Sequence, residues 1–319
     1  MKSNWLKLVA VIVILLAVIV GYRHEKNVAN YNRTRVTAVS SVRHRSPNKI
    51  QGQPKNLTKH YRILLSNSKT QRVTSLENIY RNPNHTKQTQ IGNTKTLLQN
   101  PKNFTNLVQV DQKAVAKNKP TFDHIMRQGK PIGWVNANAV HSTSTYVLPY
   151  VYISQFWPSA AEDACEEASL KTAMSTQNKA MNVPLQQIVK QTPRSKNPNV
   201  GYTKNPYKYG SHATIYPDAM VRIARKYGAQ AKDISGATKS QFIQEVTHGH
   251  AVVFEGPYML KKPGSDHDLV ILGYRKGQFF VADPFARHHK SPKTRWASTS
   301  LLMRLYNKKF RHQRALVVE

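Results

Sequence analysis

Cysteine is all but missing from this sequence: the 319 residues hold one, Cys165. A single thiol excludes an intramolecular disulfide and a metal held by a cysteine cluster. A Walker A phosphate loop is also missing, which excludes an ATP-binding cassette in this chain. No cofactor and no metal are implied by any motif. Acids are the next scarcity, with 16 Asp and Glu against 48 Lys and Arg, a formal charge of +32. The imbalance is uneven: between residues 23 and 145 the acids are Glu25, Glu77, Asp111 and Asp123, against about twenty Lys and Arg. A charge of this size attracts polyanions, whether nucleic acid, anionic lipid or an anionic cell-wall polymer. The bland alternative, a solvated surface tuned for solubility, fits the uneven spread poorly. Long apolar runs are absent except from Leu8 to Val20, behind Lys2 and Lys7. With Trp5 and Leu6 this run reaches about 18 residues, the short end for a membrane span. No small-x-small cleavage site follows it, so residues 1–22 read as a membrane anchor or, failing that, a signal peptide. Basic residues on both flanks leave its orientation open. Export places the remainder outside the cell and argues against a nucleic-acid partner.

Three zones follow. Residues 23–55 are polar and basic without apolar periodicity, and read as a disordered stalk. Residues 56–144 carry short apolar runs between Asn, Lys, Gly and Pro clusters: Tyr61 to Leu65, Asn78 to Tyr80, Thr96 to Leu98, Asn106 to Val110 and Ile132 to Val135. No helix-length amphipathic pattern occurs, and the runs predict a small all-β barrel. Residues 147–319 mix both element types. Tyr150 to Ile153 reads as a strand and Ala164 to about Gln177 as a helix. A second helix runs from Pro217 to Tyr227, with Pro217 in the first turn and Gly228 as the stop. Thr238 and Gln241 form a capping box for a third, ending at Gly249. Strands follow at Ala251 to Phe254, Leu269 to Tyr274 and Phe279 to Ala282. Helices first and strands second indicate an α+β domain.

Within the middle zone, Gly129-Lys130-Pro131-Ile132-Gly133-Trp134-Val135-Asn136 resembles the closing strand of a GW module, and Ile79-Tyr80 and Gln109 to Val115 fit its earlier strands. That family is an SH3-like barrel of Gram-positive cell surfaces. The resemblance implies binding to teichoic acid or a similar wall polymer through basic residues. Trp134 taken alone reads mostly as a core aromatic of the barrel.

Cys165 falls near the start of its helix, with Asp163 as the expected N-cap and Glu166 at the third helical position. The helix dipole favours a thiolate there, while Glu166 and Glu167 oppose it. Position alone therefore does not activate the thiol, which needs a cationic partner, usually His. A lone Cys is otherwise an inert buried residue. Among the 13 histidines, His267 stands apart because it opens an all-apolar strand, and the next strand ends in Asp283-Pro284. If Arg275-Lys276-Gly277 is a three-residue loop, Leu269 faces Asp283, and His267 and Asp283 become diagonal neighbours on one face. A two-residue loop would put them on opposite faces. A carboxylate on His fixes its tautomer and stabilises the imidazolium. Gln155 precedes the cysteine helix, and a side-chain amide with the nucleophile's own N–H can hold an oxyanion.

This order of Gln, Cys, His and Asp resembles the papain-like cysteine peptidases, most closely the double-glycine leader peptidases that process bacteriocins, in their stand-alone secreted branch. The stretches Leu148 to Gln155, Ala164 to Leu170, Asn205 to Tyr207, Ile215 to Pro217, His267 to Tyr274 and Val281 to Pro284 carry it across residues 147–319. The resemblance implies Cys165 as nucleophile, His267 as general base, Asp283 as its orienter and Gln155 as oxyanion donor. The expectation is a multidomain surface protein: a membrane segment, an SH3-like barrel, and a papain-like α+β domain with an antiparallel sheet. It would cleave a peptide or isopeptide bond while held at the wall. The alternative is a non-catalytic wall-binding or adhesion protein whose peptidase-like domain binds peptides.

Overall fold

The computed structural model describes residues 61–99, 104–158, 160–261, 267–287, 293–307 and 313–319. The expected membrane segment and stalk lie outside these residues. No helix among those described is long and apolar enough to cross a membrane.

The first sheet uses β1 (Arg62–Leu65), β2 (Gln71–Val73), β3 (Asn78–Tyr80), β4 (Gln90–Asn93), β5 (Leu107–Val115), β6 (Phe122–Arg127), β7 (Lys130–Asn136) and β8 (Val140–Ser142). The order is β4-β3-β7-β6-β5-β2-β8, with β1 on β5. The run at Thr96 to Leu98, expected as a strand, is one helical turn instead, Lys95–Leu98. Its backbone is satisfied locally, since Leu97 and Leu98 N–H both donate to Thr94 O. Successive residues of a strand face opposite sides, and β7 shows the consequence. Val135 packs with Val73, Val108, Ile125 and Val140, while Trp134 packs with Tyr61, Ala114 and Phe122 on the other side. Gly133 has φ +137°, and a Cβ there would lie 2.7 Å from Ile79 Cγ2 and 2.8 Å from Tyr80 O. Trp134 pairs with Tyr80 in the neighbouring strand. The Gly-Trp dipeptide is thus a packing requirement: no side chain fits at 133, and a large one fills the core at 134.

The second sheet contains β9 (Thr145–Val147), β10 (Ala231–Asp233), β11 (Ala251–Gly256), β12 (His267–Arg275), β13 (Gln278–Asp283), β14 (Lys293–Ser298) and β15 (Ala315–Val318). The order is β10-β15-β11-β12-β13-β14, with β9 on β12, and every pairing is antiparallel. Helices α1 (Cys165–Ser175), α2 (Leu185–Gln191) and α3 (Pro217–Lys226) cover one face, meeting Val253, Val270, Leu272 and Leu316. Helices α4 (Lys239–Thr247) and α5 (Thr299–Tyr306) cover the other, meeting Val252, Phe254, Ile271 and Val317. A sheet buried on both faces needs strands without alternation, which is why the centres of β11 to β13, Ala251 to Phe254, Leu269 to Leu272 and Phe279 to Ala282, are apolar on both sides. The predicted caps form in α3 and α4: Pro217 opens α3, and Thr238 and Gln241 make the capping box of α4.

Tyr150 to Ile153 is not a strand. Its N–H groups find side chains of α1 instead, Val151 N donating to Ser175 Oγ at 2.8 Å and Ile153 N to Thr172 Oγ1 at 3.2 Å. At its far end Tyr152 and Ser154 hydroxyls donate to Asp283 O and Ala286 O. The segment is strapped between α1 and the end of β13. The first sheet touches the C-terminal ends of α1 and α4, through Thr70 N to Thr247 O at 2.7 Å, Gln109 Nε2 to His248 O at 2.7 Å and Gln128 Nε2 to Ser175 O at 3.4 Å.

Candidate active site

Cys165 is the first residue of α1, whose opening N–H groups have no partner within the helix. Asp163, expected as the N-cap, does not cap it; Ala164 holds that position without a side-chain bond. The Asp163 carboxylate instead accepts from Ser211 Oγ at 2.8 Å and Ala213 N at 3.4 Å, tying in the loop ahead of α3. All eleven residues of α1 are buried, Glu166 and Glu167 included. The thiol donates to Glu166 Oε2 at 3.2 Å. Burial, then the charges of Glu166 and Asp268, push its pKa well above the ordinary thiol value. The helix end is therefore outweighed in this state. The same burial, then the charge of Glu167, pushes Glu166 up to about 8. Glu167 rises likewise through burial and accepts from the Tyr202 hydroxyl.

His267 and Asp283 meet through a bulge. The β12–β13 loop has two residues, Lys276 and Gly277, with Gly277 at φ +75° and Arg275 paired to Gln278. By itself that register would separate His267 and Asp283 onto opposite faces. The ladder shifts between Ile271 and Gly273, however, leaving Leu272 as an extra residue and pairing Val270 with Ala282. One step further sets Leu269 across from Asp283, the arrangement expected from a three-residue loop. His267 Nε2 lies 2.8 Å from Asp283 Oδ1, with both side chains buried. Asp283 also accepts from Met259 N at 2.7 Å and Phe285 N at 2.8 Å. Burial raises its pKa, but the His267 bond and charge and these N–H groups outweigh that and hold it below the ordinary carboxylate value. Tyr258 and Phe285 meet the imidazole edge-on, at centroid distances of 6.0 and 6.1 Å. Among the described residues no hydrogen bond joins the Cys165 thiol to His267.

Gln155 ends the strapped segment and is 2% exposed. Its backbone N–H donates to Pro284 O at 3.1 Å, next to Asp283, and its Nε2 donates to Glu162 O at 2.6 Å. Gln155, Cys165, Glu166 and His267 line a single cavity of about 360 Å³, with Asp283 behind His267. The fold thus gathers all four residues singled out in the sequence. It adds Glu166 as the thiol's partner and Tyr258 and Phe285 as walls of the imidazole. Only Glu166 carried a sequence signal, its place beside the cysteine. Away from the cavity, Glu245, His250 and Glu319 bring one potential ligand atom each to within 4.8 Å of one another. Those atoms are already engaged, His250 with Glu245 at 2.7 Å and Glu319 with Lys232 at 2.5 Å.

Among solved structures, a C39-like peptidase from Bacillus anthracis aligns over 56% of this chain and 98% of its own, at 16% identity and TM-score 0.44. A double glycine motif protease from an AMS/PCAT transporter, solved with the leader peptide, aligns over 54% and 94%, at 16% identity and TM-score 0.35. No curated protein matches the sequence. Residues 55–141 match the GW (Gly-Tryp) dipeptide domain. Residues 147–310, just over half of the chain, match the Peptidase_C39 like family, to which this GW-containing protein therefore belongs.

Proposed function

We propose that the chain is a cell-surface cysteine peptidase or amidase that cleaves a peptide bond through Cys165, His267 and Asp283. The observation that carries the reading is the buried His267–Asp283 pair on the same cavity as a thiol that opens a helix. Asp283 holds the Nε2 proton, so Nδ1 is the basic nitrogen. When substrate enters, the thiol turns from Glu166 to His267, since such contacts commonly tighten only in the substrate complex. Nδ1 takes the thiol proton and sulfur attacks the carbonyl carbon. The Cys165 N–H and the second amide hydrogen of Gln155 receive the oxyanion. Collapse expels the amine with the proton from Nδ1, and water then hydrolyses the thioester with His267 as base.

Residues 1–22 would tether or export the chain, 23–55 would form a stalk, and 56–144, as an SH3-like barrel, would bind an anionic wall polymer such as teichoic acid. The GW match and the basic excess of this zone support wall binding. The peptidase domain would span 147–319. The whole would sit outside the cell, membrane-anchored or wall-associated, and bind no nucleic acid.

The second reading, a wall-binding or adhesion protein whose cavity only holds peptides, is favoured by the buried thiol bonded to Glu166. A peptidyl epoxide separates the two. Mass spectrometry should find the adduct on Cys165 of the full chain and none in Cys165→Ala. An unmodified Cys165 would support the second reading.

A further inference from the structure

We infer that the cavity beside Cys165 accepts a peptide side chain with an aliphatic stem and a cationic head, of the lysine type. This deepens the peptidase reading and rests on the cavity being a peptide site. The first observation is an inversion of charge. Of the 16 acids in a chain of net charge +32, five line this cavity: Glu162, Asp163, Glu166, Glu255 and Asp268. The bases among its walls are Arg314, His212 and His267. Arg314 lies 3.4 Å from Glu255, so that base and that acid offset each other, and His267 is held by Asp283 from behind the cavity.

The second observation is independent of charge. Two acceptors on the cavity residues, Gln155 Oε1 and Glu162 Oε2, are shielded from solvent without a hydrogen-bond partner. Gln155 is itself 2% exposed. Buried acceptors are rarely left unmet, and a ligand that satisfies them must bring N–H or O–H donors. An ammonium brings three donors and no acceptor. A carboxylate would face repulsion from Glu162 and Asp163 and leave both acceptors unmet. The third observation is the stem. Ile215, Met220, Val253 and Phe254 line the same space, which suits methylene groups and not a compact polar residue.

Such a cavity also sets direction within the molecule. The basic exterior repels a cationic peptide at long range, while the acidic interior captures its side chain at contact, where screening is weak. Selectivity would therefore lie in one side chain of the substrate and not in its overall charge.

The test is binding to the full chain carrying Cys165→Ala, by calorimetry. The probes are three blocked pentapeptides, acetyl-Ala-Ala-X-Ala-Ala-amide, with X as lysine, norleucine or glutamate. Norleucine keeps the stem and removes the charge. The lysine peptide should bind roughly tenfold or more tightly than the norleucine peptide, the scale of a desolvated charge contact. Glu162→Gln in the same background should erase that difference and leave norleucine binding unchanged. Equal affinities, a preference for glutamate, or no binding of any peptide at about 1 mM would overturn the inference. Epoxide labelling of the unsubstituted chain reports separately on the peptidase reading. A reactive Cys165 without lysine preference sinks the inference alone. Lysine preference with an inert Cys165 supports the cationic cavity and sinks the peptidase.

Discussion

In the first sheet the paired acids serve the strands. Asp123 of β6 faces Lys113 of β5 directly and bonds it at 2.8 Å, and Asp111, at the β5 bulge, holds His124 at 2.7 Å. In the second region acids turn inward: Glu166, Glu167 and Asp283 are buried, and Glu166 lines one cavity with Glu162, Asp163, Glu255 and Asp268. The contrast shows how so basic a chain can still gather carboxylates around one cavity. Lys and Arg dominate the chain's charge, while burial raises the pKa values of Glu166 and Glu167 and, at Asp283, is outweighed by the His267 bond and charge. In the proposed function the first region would present charge to a polymer, and the second would use charge on a reacting bond.

The largest expected effect falls on Asp283. Asp283→Asn keeps the shape but loses the charge that fixes the imidazole tautomer, and should slow epoxide labelling of Cys165 by about 10²- to 10⁴-fold. An unchanged rate would reduce Asp283 to a structural cap for Met259 and Phe285. Next is Trp134, which fills the smaller core of the first sheet. Trp134→Ala should cost about 3–5 kcal/mol in urea denaturation, with labelling at Cys165 preserved under native conditions. Loss of labelling there would show that the two regions do not divide their tasks.

The smallest effect is a pH dependence of stability. Glu166 and Glu167 bind protons more tightly in the folded chain, since their pKa values are raised. Their contribution is complete below the ordinary carboxyl range and is lost as pH rises toward about 8. Asp283, held low, contributes in the opposite sense and loses its contribution only in acid. The thermal midpoint should therefore fall between pH 5 and pH 8. Replacing both glutamates by Gln should flatten that slope. A slope unchanged by the double substitution would mean that neither carboxyl is held protonated.

The sequence carried the site residues further than it carried their geometry. His267 and Asp283 were legible because one opens an apolar run and the other closes the next. Their pairing was not, because it depends on loop length and register. A strand buried on both faces has no alternation to expose the bulge at Leu272, so the correct pairing arises from a shorter loop and an extra residue together. Tyr150 to Ile153 has strand composition, but its hydrogen bonds go to hydroxyls of a helix that follows it in sequence, and no local pattern reports that. Asp163 has cap chemistry and spacing, yet the Ser211 and Ala213 groups claim it from nearly fifty residues away. The inward turn of Glu166 and Glu167 was hidden because α1 is covered all round, where amphipathic reasoning has no face to find. By contrast Gly133-Trp134 could be read directly, because a local steric demand and a core aromatic fix both residues.

In the proposed function His267 draws a proton from Cys165 during attack. The direct measurement is the epoxide labelling rate of Cys165 against pH, in the full chain and in His267→Ala. A cooperating pair titrates in two macroscopic steps, so the parent should give a bell, rising as the thiolate forms and falling as the imidazolium loses its proton. His267→Ala should be slower near neutrality and rise without a maximum as the thiol ionises unaided at high pH. Two superimposable curves, each rising without a maximum, would contradict the account and leave Cys165 as a buried thiol that His267 does not assist.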